Sequence, residues 1–123
     1  MSKTVAVIGA SNNRSKFGNK ALRAFEHQGY RVIPINPHEQ EVEGHKAYAS
    51  VLEVPEAIDM ATVYVPGEVG VKVIDELAQL GVPEVWLNPG ADDPDVIARA
   101  RARGVKTIQA CSIIAIGESP GMY

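Results

Sequence analysis

Two kinds of apolar pattern alternate along this chain, and their alternation predicts the architecture. "VAVIG" (5–9) is an unbroken apolar run rich in β-branched residues, the signature of a strand covered on both faces, as in a parallel sheet. Residues 20–29, "KALRAFEHQG", switch to helical spacing. Ala21, Leu22 and Phe25 fall on one side, and Gly29 supplies a left-handed stop. "YRVIPIN" (30–36) is a second strand, in which Pro34 removes one backbone donor and so predicts an irregularity or an exposed side. Residues 46–50 fit a short edge strand, and 53–58 fit a single helical turn. "MATVYV" (60–65) is the next strand, with Tyr64 expected in the core. It is followed by a helix over 68–81, with Val73, Ile74, Leu77 and Ala78 on one face and Gly81 as its stop. "EVWLN" (84–88) is a further strand, Trp86 again expected in the core. Residues 92–104 are a helix that Asp93 can cap, with Pro94 in its first turn and Gly104 at its end. "VKTIQA" (105–110) is the last strand.

Three times the order runs helix, glycine, strand. This is the βαβ unit recurring, and right-handed crossovers make it an α/β fold: a three-layer doubly wound parallel sheet, Rossmann-like, in a single domain over 1–123. Composition narrows the field. Twelve basic against fifteen acidic residues give a formal charge of −3, which argues against a nucleic-acid partner. The one cysteine, Cys111, allows no intrachain disulfide and fits a reducing compartment. The opening apolar run stops at Ala10, too early for a secretory h-region, and no stretch approaches the ~20 apolar residues of a membrane span. The expectation is a cytoplasmic protein.

In a sheet of this kind, ligands bind beyond the carboxyl ends of the strands, where the strand order reverses. Those ends read "GASNNRSKFG", "NPHE", "VPGE", "NPGADD" and "CSII", rich in Gly, Pro and Asn as any βα turn is. The first carries the strongest signal. Gly9 permits a tight turn with a bare surface, and Ser11, Asn12 and Asn13 offer side-chain donors. Amides near Gly18 and Asn19 point from a helix N-terminus, and Arg14 and Lys16 can reach over to neutralise phosphate. The dinucleotide fingerprint itself is absent. Its second glycine is replaced by Ser11, the next glycine is Gly18, and the acidic residue wanted at the tip of strand two is replaced by Asn36-Pro37-His38. His27, His38 and His45 read as helix-end or loop residues, and Asp92, Asp93 and Asp95 as helix-start residues. Cys111 reads first as an inert, partly buried hydrophobe. A mixed disulfide with a ligand thiol at the rim is the alternative.

The segments "VIGASNNRSKFGNKAL", "GYRVIPINP", "ATVYVPGE", "EVWLNPG" and "CSIIAIGE" occur in that order across nearly the whole chain. Together they resemble the small stand-alone CoA-binding domain proteins, whose fold also forms the amino-terminal domain of the succinyl-CoA synthetase α subunit. The resemblance implies a domain that holds coenzyme A, or an acyl-CoA, at the strand ends without catalysis of its own. It implies that Gly9, Ala10 and Ser11 form the turn under the pyrophosphate, with Lys16 and Gly18 as the loop's lysine and glycine. Asn36 and Pro37 would line the adenosine side, and Val65 and Pro66 would border the nucleotide across the switch point. Asn88, Pro89 and Gly90 would lie toward the pantetheine arm; Cys111, by its own place just past a strand end on the same rim, is the residue that would meet the cofactor thiol if it is not simply an inert hydrophobe. Many stand-alone relatives have arginine where this chain has Val65, and Asp-Arg where it has Gln109-Ala110. Two other functions therefore stay open: an NAD(P)-binding redox enzyme or sensor, and an interaction module whose nucleotide pocket stands vacant. A homo-oligomer or a partner enzyme is compatible with each.

Overall fold

The computed structural model describes residues 3–123. Five strands form one parallel sheet in the order β2-β1-β5-β6-β7: β1 (Thr4–Ile8), β2 (Arg31–Ile35), β5 (Met60–Val63), β6 (Val85–Leu87) and β7 (Thr107–Gln109). The chain leaves β1 toward β2 through α1 (Phe17–His27). It then returns to the other side of β1 with β5 and moves outward through α2 (Gly67–Leu80) and α3 (Pro94–Ala102). Strand order thus reverses between β1 and β5, which pair from Val5↔Met60 to Ile8↔Val63. Their carboxyl ends open side by side, and that opening is where this topology places a ligand.

One apolar layer, including Ile8, Ile33, Val63, Ile74, Leu77 and Leu87, fills the space between the sheet and α2 and α3. The other, including Val5, Val7, Leu22, Phe25 and Ile113, lies beneath α1 and the short α4 (Ser112–Ala115). Every residue of β1 is buried, as the unbroken apolar run requires of the central strands. Phe25 has no solvent exposure and meets Tyr30 edge-on, with ring centroids 4.9 Å apart. No helix among the described residues is long and apolar enough to cross a membrane.

Several boundaries differ from the expectation. α1 begins at Phe17, one turn earlier than the apolar pattern suggests, because that turn buries Gly18 and Asn19, which carry no apolar side chain, and leaves Phe17 half exposed. At its other end Gly29 adopts φ +88, and the Tyr30 amide donates back to the Phe25 carbonyl, closing the helix as expected. The strand expected to reach residue 65 ends at Val63, so Tyr64 and Val65 lie past the sheet, and Tyr64, like Trp86, is only partly buried. Of the edge strand expected at 46–50, Lys46 pairs antiparallel with Glu41 and Tyr48 forms a parallel bridge with Ile35. Lys46 belongs to a short ribbon, β3 (Glu41–Val42) with β4 (His45–Lys46). The helical turn expected at 53–58 is a 3-10 turn at Val51–Glu53. Pro34 is tolerated because β2 is the sheet's edge. Its carbonyl points outward to accept from the Tyr48 amide, so its missing N–H lies on the side away from β1. Asp93 occupies the N-cap position of α3 with Pro94 following, yet its side chain caps nothing. It is turned toward Gly67, where a Cβ would come within 2.2 Å of its Oδ2.

Candidate functional site

A cleft of about 810 Å3 opens over the reversal point. Its floor is the end of β1 (Ile8, Gly9) with Tyr64 and Val65. One wall is the loop into α1, with Ser11, Lys16, Phe17 and Gly18. Another is the tip of β2 with Asn36, Pro37, His38 and Ala49. The third is α2 with Val69, Lys72, Val73 and Glu76, and the turn after β6 closes one end with Pro89, Gly90 and Ala91. The lining is mostly apolar, with a few polar groups that converge, as small-molecule sites require.

Two glycines bring the turn and the helix together. Gly9 adopts φ +91 beneath the Tyr64 carbonyl, where a Cβ would lie 2.9 Å from that oxygen. Gly18 is tighter still: a Cβ there would sit 2.2 Å from the Gly9 carbonyl oxygen. The absence of a side chain at Gly18 lets α1 start directly against the turn, so its amides face the cleft.

The N-terminus of α1 carries no side-chain cap, since Lys16 occupies the capping position where Ser, Thr, Asp or Asn would ordinarily accept from the first amides. The amides of Ser11, Phe17 and Gly18 donate to no acceptor among the described residues. Uncapped amides, the positive end of the helix dipole and the Lys16 ammonium therefore converge on one cleft wall, an arrangement suited to an anion. Lys72 adds a second cation, and Glu76 is the one carboxylate in the lining.

The rest of the loop is held by its own side chains. Ser11 Oγ accepts from the Asn13 amide at 3.0 Å, and Asn13 Oδ1 accepts from the Ser15 amide at 3.0 Å and its hydroxyl at 2.6 Å. Asn12 Nδ2 donates to the Glu39 carboxylate at 2.8 Å and to the Glu41 carbonyl at 2.7 Å. Asn12 and Asn13 thus brace the loop rather than offer donors to the cleft.

The family of CoA binding domains matches residues 3–117. This chain belongs to that family. Among curated relatives, the α subunit of an ADP-forming acetate–CoA ligase II from Pyrococcus furiosus is 42% identical over 82 residues, which is 66% of this chain and 18% of that subunit. An ADP-forming acetate–CoA ligase from Methanocaldococcus jannaschii is 40% identical over 80 residues, 65% of this chain and 11% of the enzyme. The chain therefore spans under a fifth of the length of these relatives. A solved protein of its own size, a conserved hypothetical protein from Pyrococcus furiosus, superposes with a TM-score of 0.81 at 31% identity, covering 94% of this chain and 99% of the other.

Within this CoA-binding domain, Gly9, Ser11, Lys16, Gly18, Asn36, Pro37, Val65, Pro66, Pro89 and Gly90 all line the cleft. Four residues named from the sequence do not. Ala10 is fully buried in the layer beneath α1. Arg14 points outward to pair with Glu43 at 3.2 Å. Asn88 is 1% exposed, and its amide is consumed inside the domain. It donates to Thr62 Oγ1 at 2.7 Å and to the Val63 carbonyl at 3.1 Å, and it accepts from the Ser112 amide at 2.9 Å. Cys111 sits half-buried at the start of α4, packed against the layer under α1. All four stand in the segments that follow the strand ends, as their positions in the chain indicate. Which of them face inward depends on packing across the sheet.

Conversely, Phe17, Tyr64, Val69, Lys72, Val73 and Glu76 enter the site without having been singled out. A signal for those on α2 exists: a helix that follows the β5 rim must present one side of its first three turns to the cleft. Burial pushes the Tyr64 phenol above its ordinary range, against smaller opposing effects from hydrogen bonds with Ser112 and Thr62. It stays neutral and can donate. His38 lies in the β2-tip wall, while His27 and His45 are engaged by Glu118 at 3.2 Å and Glu26 at 2.6 Å. No group of three His, Cys, Asp or Glu among the described residues is placed to hold a metal.

Proposed function

We propose that the cleft binds coenzyme A or an acyl-CoA, and that the domain holds this ligand for a partner protein rather than transforming it. The observation that carries the reading is the uncapped start of α1. Ser11, Phe17 and Gly18 present free amides beside Lys16 at the edge of an 810 Å3 cleft. A pyrophosphate supplies the acceptors this helix end lacks. The apolar walls on either side suit the flat adenine and the extended pantetheine arm. Membership of the CoA binding domain family supports the choice of ligand. A partner enzyme is supported by the ligase subunits in which the same domain forms one part.

A nicotinamide dinucleotide is the weaker fit. At the β2 tip, where a carboxylate would grip its ribose, stands Asn36. Its side chain is spent on the Ala10 carbonyl at 2.8 Å and the His38 amide at 2.7 Å. The nearby Glu39 carboxylate is held by Asn12. Isothermal titration with CoA, 3′-dephospho-CoA, NAD and NADP tests the reading. Binding of both CoA ligands with weak or absent response to NAD is expected. Clear NAD binding with silence from both CoA ligands would overturn it, and silence from all four would favour an interaction module.

A further inference from the structure

Glu43 lies outside the cleft, at the tip of the β3–β4 ribbon, and is the one non-glycine residue of positive φ among the described residues, at +50°. The two-residue turn of this hairpin demands left-handed residues at both Glu43 and Gly44 (φ +81), so the conformation belongs to the ribbon; the choice of an acid there, next to an anion-binding loop, is what calls for a role. Its contacts indicate which. Its carboxylate accepts from Asn19 Nδ2 at 3.1 Å and from Arg14 at 3.2 Å, and its amide donates to Asn12 Oδ1 at 3.3 Å. Asn19 is fully buried in α1, and the same Nδ2 donates to the Ser11 carbonyl at 2.8 Å, while its Oδ1 accepts from Arg23 Nε at 2.7 Å. The one turn at Glu43 thus reaches three points of the loop that carries the free amides: its start through Ser11 and Asn12, its middle through Arg14, and the helix behind it through Asn19. Arg14 and Arg23 neutralise the carboxylate, so the anchor adds little repulsion to a ligand phosphate. The Asn19 hydrogen bond and then the Arg14 contact hold the carboxyl below its usual range, so it stays ionised near neutral pH.

We propose that Glu43 is the positioning residue of the anion loop: it holds Ser11 and the start of α1 in their ligand-ready arrangement, and Arg14 serves as its counter-ion rather than as a phosphate ligand. The inference rests on the proposed binding of CoA.

Two substitutions separate positioning from simple stability. Glu43→Gly relieves the positive φ while deleting the carboxylate, and Glu43→Gln keeps an acceptor for Asn19 while deleting the charge. Titration with CoA and with 3′-dephospho-CoA is expected to show Glu43→Gly about tenfold weaker for both ligands, since both carry the pyrophosphate. Its thermal midpoint should stay near wild type. Faster hydrogen exchange confined to residues 11–18 is expected in the free protein. Glu43→Gln should recover most of the affinity. Unchanged or tighter binding by Glu43→Gly would overturn the proposal, because it would mean that the freed Arg14 takes up phosphate or that the loop needs no anchor. Unaltered exchange in the loop would overturn it as well. Failure of the wild-type protein to bind either CoA ligand would instead remove the reading beneath it.

Discussion

Replacement of Gly18 by alanine tests the closest contact in the site. The added Cβ would lie 2.2 Å from the Gly9 carbonyl oxygen and 3.2 Å from Ala10 Cα, both main-chain atoms that cannot swing aside. Real Cβ contacts stay beyond 3.0 Å, so the first turn of α1 must retreat by at least about 0.8 Å, or the turn at Gly9 must deform. Overpacking of this kind costs roughly 1–3 kcal/mol. Alanine's better helix propensity returns at most about 0.5–1 kcal/mol, and less so near a helix end. The net expectation is a loss of about 1–2 kcal/mol, read as a fall of several degrees in Tm, at roughly 4 °C per kcal/mol for a domain of this size. Binding should suffer more than stability. The Phe17 and Gly18 amides move with the helix, and hydrogen bonds lengthened from about 2.9 Å by such a shift no longer form. CoA affinity should therefore drop about tenfold or more. Urea melts and calorimetric titration measure both. A Gly18→Ala protein as stable as wild type, binding CoA unchanged, would refute the claim that the helix start is pressed against the turn to aim its amides.

Lys16→Ala should weaken CoA binding roughly tenfold or more, with a shallower dependence on salt, while Arg14→Ala leaves affinity within a few-fold; titrations at two ionic strengths distinguish them. Asn88→Ala should cost about 2–4 kcal/mol in chemical denaturation, because it strands the buried Ser112 amide and removes the bonds to Thr62 Oγ1 and the Val63 carbonyl, and should change CoA affinity little since Asn88 does not line the cleft. Glu118 is held below its usual range first by the Tyr123 hydroxyl, then by Gln28 and His27. Its folded-state value is the depressed one. Its contribution is therefore complete above the ordinary carboxyl range, near 4.5, and is lost as pH falls from there through the lower folded value. Denaturation midpoints followed over that acid range should decline less steeply in Glu118→Gln than in wild type, and equal slopes would exclude the linkage.

Strand and helix order was legible because each βαβ unit carries its own local signals. The β-branched run at 5–9 must be covered on both faces, the stripe Val73, Ile74, Leu77 marks a helix with one buried side, and glycines at 29, 81 and 104 take the left-handed conformation that ends helices. The position of the site was legible too, since parallel strands with such connections leave their carboxyl ends on one rim. Harder to read was the first turn of α1. Phe17 is half exposed, so no apolar stripe announces it, and Lys16 is a poor cap, so no capping motif does either.

What the amino-acid order determined by itself was the set of elements, their handed connection and the loops that gather at the rim, because these follow from hydrogen bonding and periodicity within some thirty residues. Which rim residues look into the cleft was decided only when distant segments met. Asn88 and Ser112, 24 residues apart, share hydrogen bonds that turn the asparagine inward, and Arg14 finds Glu43, 29 residues on, instead of solvent or phosphate. The approach of Gly18 to Gly9, which frees the helix amides, likewise exists only once α1 is laid across the sheet. Such contacts depend on the placement of whole elements, and no local run of residues encodes the direction a side chain takes when it has two possible partners.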